Sequence, residues 1–437
     1  MDPNDFDQRP LLVQPAGRAA GEVFALLASW VVPEPNRVLG PGAGVIVARG
    51  QIVECIEGAT ALRRRAQILG ALVQDLGGGI LTAGLVNAHS HLELAALRGK
   101  VSSAGGFAAW IGRVLQERAA HSPEELAQGA LGGLARMART GTTALGDIDS
   151  LGVCPSLLRG AGLRVVQYRE VLDAGDAQRT GPAIAGVELP LVSSPRFTEG
   201  LSPHAPFTVS SDLMGATGRI ALRRQLPVTI HWSETLAEVD WLAGRASPLE
   251  AMLGPGPGQA GLDHIESGGL LGPCTSLVHG NHPQVGEADR IAASGATLVH
   301  CPGSHRFFGR GPFPLDAYLQ AGVSVALGTD SAASNEDLDM LREARILSAA
   351  FPGLRPSEIW SMLTEHGARA LGLEGRIGRL RDGHAADLAL FSGNLAHKDQ
   401  VLDALLGEGT MCLQAWVAGD SSGPWSAGSG SGVEFDR

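Results

Sequence analysis

Eight short apolar runs recur through the middle of this chain, and each ends in a side chain that can ionise. The runs close at His89, Asp147, Glu170, His204, His231, His279, His300 and Asp330. Between them lie stretches with helical periodicity: FAAWIGRVLQERAA, SPEELAQGALGGLARMART, SDLMGATGRIALRRQ, EADRIAAS and NEDLDMLREARILSAA. Successive ends are spaced by about 34 residues on average, and a strand–helix unit needs on the order of 30. Repeated alternation of this kind specifies a parallel sheet, and eight units predict a closed (β/α)8 barrel over residues 82–374. The carboxyl ends of barrel strands carry the functional side chains. That gives a reason for an ionisable group at every end, which packing alone does not supply.

The segments outside the barrel read differently. GVIVARGQIVECI predicts two strands joined by a turn at Arg49-Gly50. GRIGRLRDGHAADLALFSG and MCLQAWVAG predict further short strands. Neither 21–81 nor 375–419 holds enough apolar surface for a core of its own, so the two ends are expected to pair into one small β-sandwich domain. The overall class is α/β. Residues 1–20 and 420–437 read as flexible tails, the latter rich in Gly and Ser.

Composition narrows the function. The net charge is -11, with no basic stretch to follow a phosphate backbone, so neither nucleic acid nor an anionic membrane is an expected partner. No apolar run is long enough to span a bilayer; VFALLASWVV, at 23–32, is too short. The polar, acidic start MDPNDFDQRP is unlike a secretory signal. The five cysteines are scattered without CxxC spacing, which is expected of reduced thiols in a cytoplasmic protein. Cys301 stands near the strand ends but reads as a buried structural thiol.

His89 and His91 lie two apart at a strand end, so both imidazoles face one way. Alone the pair says little. With His231 and Asp330 it offers three imidazoles and a carboxylate, a donor set suited to one divalent ion with a position left for water. The ligands would come from the first, fifth and eighth strands, which only a barrel brings together. Hydrolysing a C–N bond also requires proton delivery to the leaving side. Glu234, three residues past His231, and His279, at the end of the sixth strand, are placed to handle protons or hold the attacking water. Their structural alternatives are a carboxylate at a helix N-terminus for Glu234 and a backbone-satisfied core histidine for His279. His204, in SPHAPFTVSS, is expected to contact substrate, or else to serve as a turn residue between prolines. No lysine ends its strand, which favours a single metal over a lysine-bridged pair.

The ordered motifs GLVNAHSHLEL, SPHAPFTVS, HWSETLAE, LVHGNH, HCPGSH and LGTDSAASN resemble the amidohydrolase superfamily. They look most like its branch of cytosine-deaminase-like, adenosine-type and triazine aminohydrolases. With GHAADLALF the resemblance covers nearly the whole chain except the tails. It implies that His89, His91, His231 and Asp330 hold one divalent metal, with zinc ahead of iron(II). It also implies that Asp330 takes a proton from the attacking water, that Glu234 protonates a ring nitrogen, that His279 assists, and that His204 touches substrate. A homodimer is common in the family. HSHLELAALRG, FAAWIGRVLQER and HCPGSHRFFGRGPFPLDAYLQAG are most similar to aminodeoxyfutalosine-deaminase-like sequences, which implies an adenine nucleoside as the small-molecule substrate. His305 stands where members commonly carry Asn, a departure in a segment expected to line the pocket. Glu93 and Arg98 are further candidate substrate contacts, with an ordinary salt-bridging loop as the alternative. Competing functions are hydrolysis of another C–N or C–Cl bond on a triazine, guanine, cytosine or formimino-type compound, and a non-catalytic scaffold. The intact HxxE favours deamination, and the complete ligand set argues against a scaffold.

Overall fold

The structure is a computed structural model, and it describes residues 23–393 and 395–421. The expected tails fall outside the described residues, apart from Asp420 and Ser421.

Eight parallel strands form one sheet in chain order. They are β1 (Leu85–Ser90), β2 (Thr142–Asp149), β3 (Arg164–Val171), β4 (Phe197–Pro203), β5 (Val228–Trp232), β6 (Thr275–His279), β7 (Thr297–His300) and β8 (Ser324–Leu327). Ser90 bridges Asp330 in parallel, and the Thr329 and Asp330 amides both donate to the His89 carbonyl at 3.1 Å, which joins β8 back to β1. All eight expected strand ends lie at or within three residues of a carboxyl terminus of this barrel. The strands are buried along nearly their whole length, as continuous apolar runs in a covered parallel sheet must be.

The crossover helices follow from local sequence. In the helix Pro123–Arg139, Ser122 accepts from the Glu125 amide and Glu125 reaches back to the Ser122 amide. Proline at its first turn needs no amide partner there. Its buried residues Leu126, Ala130, Leu134 and Met137 recur at helical spacing and face the barrel. One expectation shifts: NEDLDMLREARILSAA becomes helical only from Met340 to Ala350. Asp339 caps that helix by accepting from the Leu341 amide, and Asn335 and Asp337 accept from the amides that follow them. These side chains compete with the helix for backbone donors, so the first five residues stay a loop.

The chain ends build two more sheets. Strands 51–56, 43–48, 23–28 and 72–75 form one. The hairpin turn falls at Arg49-Gly50, both with positive φ, as the sequence predicts. The other orders strands 412–416, 388–391, 80–83, 30–34 and 37–39, so C-terminal and N-terminal segments pair directly. Leu26, Val45 and Ile52 from the first sheet share one apolar core with Leu81, Leu388 and Trp416 from the second. Neither end completes that core without the other. Asp387, in GHAADLALF, ties this unit to the barrel: Arg164 at the start of β3 donates to it from Nε at 2.8 Å and Nη2 at 3.2 Å. No described helix is long and apolar enough to cross a membrane. All five cysteines are free thiols.

Candidate metal and catalytic site

Backbone geometry at the strand ends is unusual. Ser233, His279 and Asp330 have φ of 52°, 75° and 58°. This left-handed region costs a non-glycine residue about 1–3 kcal/mol, and such strain gathers at functional sites. It turns the His279 and Asp330 side chains away from strand-like directions, toward the centre of the barrel mouth. Gly328, just before, lets β8 approach β1: a Cβ there would meet His89 atoms at 2.9–3.0 Å.

Four ring systems and a carboxylate converge. The available nitrogens of His89, His91 and His231 lie within 4.8 Å of one another. His91 Nε2 is 3.2 Å from His231 Nε2, and Asp330 Oδ1 is 3.7 Å from His89 Nε2 and 4.0 Å from His91 Nε2. The His279 ring centroid is 5.8 Å from that of His89 and 5.6 Å from that of His231. Burial pushes the His91 and His279 imidazoles well below their ordinary range and lowers His89 as well, so these rings are neutral. The His231 Nδ1–H donates to the His204 carbonyl at 2.9 Å, which leaves its Nε2 lone pair facing the cluster. Asp330 accepts from Ser304 Oγ at 2.7 Å, Ser334 Oγ at 3.0 Å and its neighbour's amide at 2.7 Å. Both His89 ring nitrogens are buried without a hydrogen-bond partner. Buried nitrogens are seldom left so. Lone pairs gathered beside a carboxylate fit a divalent cation, with His89, His91, His231 and Asp330 able to hold it.

Glu234 stands beside this set. Its Oε2 is 3.8 Å from His279 Nε2, and its Oε1 accepts from Arg310 Nη2 at 2.7 Å. Burial pushes the carboxyl up, and the Arg310 charge opposes that rise. Glu234 does not cap the next helix. Thr235 does so by accepting from the Glu238 amide, while the Glu238 carboxylate takes the Ser233 and Glu234 amides at 2.9 and 2.8 Å. The Glu234 side chain is therefore left for the site.

The remaining expected residues fall in three places. His204 reaches the cluster: its ring centroid is 4.9 Å from that of His231, its Nδ1 pairs with Thr208 Oγ1 at 2.6 Å, and burial pushes it down to about 3. His305 lies on the short helix Pro302–Phe307 that follows β7, with Nδ1 3.0 Å from Asn281 Oδ1 and Nε2 donating to the Gly311 carbonyl at 2.7 Å. Asn281 in turn donates to the Glu234 carbonyl at 3.0 Å, so His305 braces the loop that carries Arg310. Glu93 and Arg98 are not brought into the cluster. Glu93 accepts from the Ser150 hydroxyl at 2.7 Å and from the Ser150 and Leu151 amides at 3.0 Å, and burial pushes it up to about 9. Arg98 donates to the Glu336 carbonyl at 2.7 Å on the exposed side.

Two site residues were not singled out by sequence. Arg310 sits in a loop, FFGRGPF, with no periodicity to mark it. Glu170 carried a signal, being the one glutamate among the eight strand ends. With His204 and His231 it forms a second group of donors within 4.8 Å, and burial pushes its carboxyl up to about 7.

The chain is similar to known proteins over most of its length. The 5-methylthioadenosine/S-adenosylhomocysteine deaminase of Pyrococcus furiosus is 33% identical over 345 residues, covering 75% of this chain and 78% of that protein. A zinc-bound adenosine deaminase from Xanthomonas campestris superposes with a TM-score of 0.74 at 27% identity, over 91% of this chain and 92% of that one. The Helicobacter pylori aminofutalosine deaminase, in complex with methylthio-coformycin, shares the fold with a TM-score of 0.79 at 22% identity, over 91% and 99% of the two chains. The sequence model of the amidohydrolase family matches residues 80–423, and the chain belongs to that family.

Proposed function

We propose that this protein is a metal-dependent aminohydrolase that deaminates an adenine nucleoside. The observation that carries this reading is the convergence of His89, His91, His231 and Asp330 with Glu234 and His279 directly alongside. The names of its relatives, deaminases of 5-methylthioadenosine, S-adenosylhomocysteine and 5'-deoxyadenosine, support the substrate class. Zinc is the favoured ion, on the donor set and on the zinc-bound adenosine deaminase among similar structures.

His89, His91, His231 and Asp330 would hold a divalent ion, which would supply a water able to act as nucleophile at neutral pH. The chain's own groups do the rest. Asp330 takes the proton of the attacking water, and its hydroxyl and amide donors keep it ionised at the outset. Glu234 hands a proton to the ring nitrogen next to the amino-bearing carbon, so negative charge does not build on the ring as water adds. His279, neutral and wedged between Glu234 and the cluster, orients the adding oxygen. The C–N bond then breaks: the nitrogen takes the proton held by Asp330 and leaves as ammonia, the added hydroxyl returns its proton to Glu234, and the ring carbon is left as a carbonyl.

The test is ammonia release by zinc-loaded protein from a panel of adenosine, 5'-methylthioadenosine, S-adenosylhomocysteine, aminodeoxyfutalosine, guanine and cytosine. Turnover of the adenine nucleosides with none of guanine or cytosine is expected. Activity confined to guanine or cytosine, or absent throughout, overturns the reading.

A further inference from the structure

Glu170 ends β3 deep in the barrel mouth, and its Oε1 is buried without any hydrogen-bond partner. Burying a carboxylate oxygen with nothing donating to it is costly, so such atoms are almost always paired. Within the protein the nearest explanation is a second metal, since Glu170, His204 and His231 offer donors within 4.8 Å. The His231 ring rules that out. Its Nδ1–H is committed to the His204 carbonyl, so it has one lone pair, on Nε2. That lone pair faces His91 Nε2 at 3.2 Å, in the set that includes Asp330. His204 Nδ1 is also engaged, with Thr208. Glu170 and one nitrogen of His204 remain, too few to hold a second ion. The partner of Glu170 therefore arrives with the substrate.

Its position says which part of the substrate. The proton-handling groups stand at the ends of β5, β6 and β8, so the amino-bearing edge of the heterocycle faces that side. The rest of the molecule runs over the ends of β3 and β4. The far edge of an adenine ring carries only acceptor nitrogens and offers nothing to a carboxylate. Apart from the departing amino group, the hydrogen-bond donors of an adenine nucleoside are its sugar hydroxyls.

We propose that Glu170 recognises the ribose, its unpaired carboxylate oxygen accepting hydrogen bonds from the sugar hydroxyls. The assignment rests on the adenine-nucleoside reading above and names the residue that distinguishes a nucleoside from a bare or deoxygenated analogue.

The experiment compares adenosine with 2',3'-dideoxyadenosine and with 3-deazaadenosine, which lacks the acceptor nitrogen on the far edge. Zinc-loaded wild type, Glu170→Gln and Glu170→Ala are assayed for ammonia release, with bound zinc and melting temperature measured for each. Wild type should prefer adenosine over the dideoxy analogue on the order of 10²-fold in kcat/KM, since charged hydrogen bonds to hydroxyls discriminate at that scale. Glu170→Ala should lose a similar factor on adenosine, chiefly in KM, and about threefold or less on the dideoxy analogue, with zinc retained. The wild-type comparison needs no variant, so a misfolded Glu170→Ala leaves the proposal testable. Equal use of both sugars by wild type overturns it, as does a parallel fall on both sugars in Glu170→Gln. A Glu170→Gln defect that disappears only with the deaza compound likewise overturns it, by assigning Glu170 to the ring. In each of those cases the deaminase reading stands. Absence of ammonia from every adenine compound in the wild type overturns both.

Discussion

Arg310 Nη2 donates to Glu234 Oε1 at 2.7 Å, and both side chains are more than nine-tenths buried. The pair links the loop after β7 to the loop after β5, and Arg310 also lies over the Phe308 ring at 4.5 Å. A buried charge pair of this kind fixes where a carboxyl group sits and opposes the rise that burial gives it. Arg310 is therefore a positioning residue, acting through Glu234.

Replacing Arg310 by Met should lower kcat about 10–100-fold, the scale of one hydrogen bond to a charged group, while bound zinc is unchanged. Burial raises the Glu234 carboxyl and Arg310 opposes it. With Arg310 gone the carboxyl rises further, more molecules keep the proton that Glu234 delivers as pH rises, and the basic limb of the kcat–pH profile moves to higher pH. Arg310→Lys should recover part of both effects. A basic limb that stays in place would show that Arg310 does not govern Glu234.

Gly328→Ala probes the support beneath the cluster. The added methyl would sit 2.9 Å from the His89 Cβ and 3.0 Å from its backbone N and O. Backbone atoms cannot yield as a flexible side chain would, so His89 must shift. Zinc affinity, read by competition with a chelator, should fall about 10–100-fold with the fold preserved by circular dichroism. Unchanged affinity would mean that β1 and β8 are looser than their spacing implies.

The first strand end, His89, was legible because two histidines one residue apart on a strand must face the same way. The barrel was legible because its runs repeat at a spacing that fits strand–helix units. Glu170 and Arg310 were harder to read for opposite physical reasons. Glu170 had the right position but no motif to give it a task, and only the unpaired oxygen in three dimensions supplies one. Arg310 lies in a loop whose path is set by Asn281, His305 and Gly311, contacts between residues 24 and 6 positions apart that no periodicity encodes. Glu93 belongs to HSHLEL by sequence, yet the Ser150–Leu151 turn after β2 takes its carboxylate.

The junction between the barrel and the end-derived sheets should depend on Arg164 and Asp387, whose side chains are 6% and 2% exposed. Arg164→Leu leaves Asp387 buried and short of its partner, which costs about 3–5 kcal/mol. The double substitution with Asp387→Leu should be markedly less destabilised than the sum of the single ones. Urea unfolding of the four proteins checks this, and strict additivity would show the two residues do not act as a pair.

Stability should decline as pH rises from about 4.5 to 8. Burial pushes the Glu238 and Glu343 carboxyls up to about 8 each. For a carboxyl raised on folding, the native state keeps a proton that the unfolded chain releases. Its contribution is therefore full below the unfolded value near 4.5 and is lost as pH passes through 8. Glu343 accepts from the Gly303 amide at 2.6 Å and from Asn335 Nδ2 at 2.8 Å. Glu343→Gln should accordingly flatten part of the pH dependence while lowering stability at pH 6. Melting temperatures across that range at fixed ionic strength provide the measurement, and a wild-type optimum at pH 8 would contradict the assignment.

The most direct test of the central claim is a metal titration. Protein stripped by a chelator is titrated with zinc, and ammonia release from adenosine is read at each addition. Activity should be absent at the start, rise linearly and level off at one zinc per chain, and it should fail to return in His231→Ala. Full activity in the stripped protein, or a plateau at two ions per chain, would contradict a single metal held by His89, His91, His231 and Asp330.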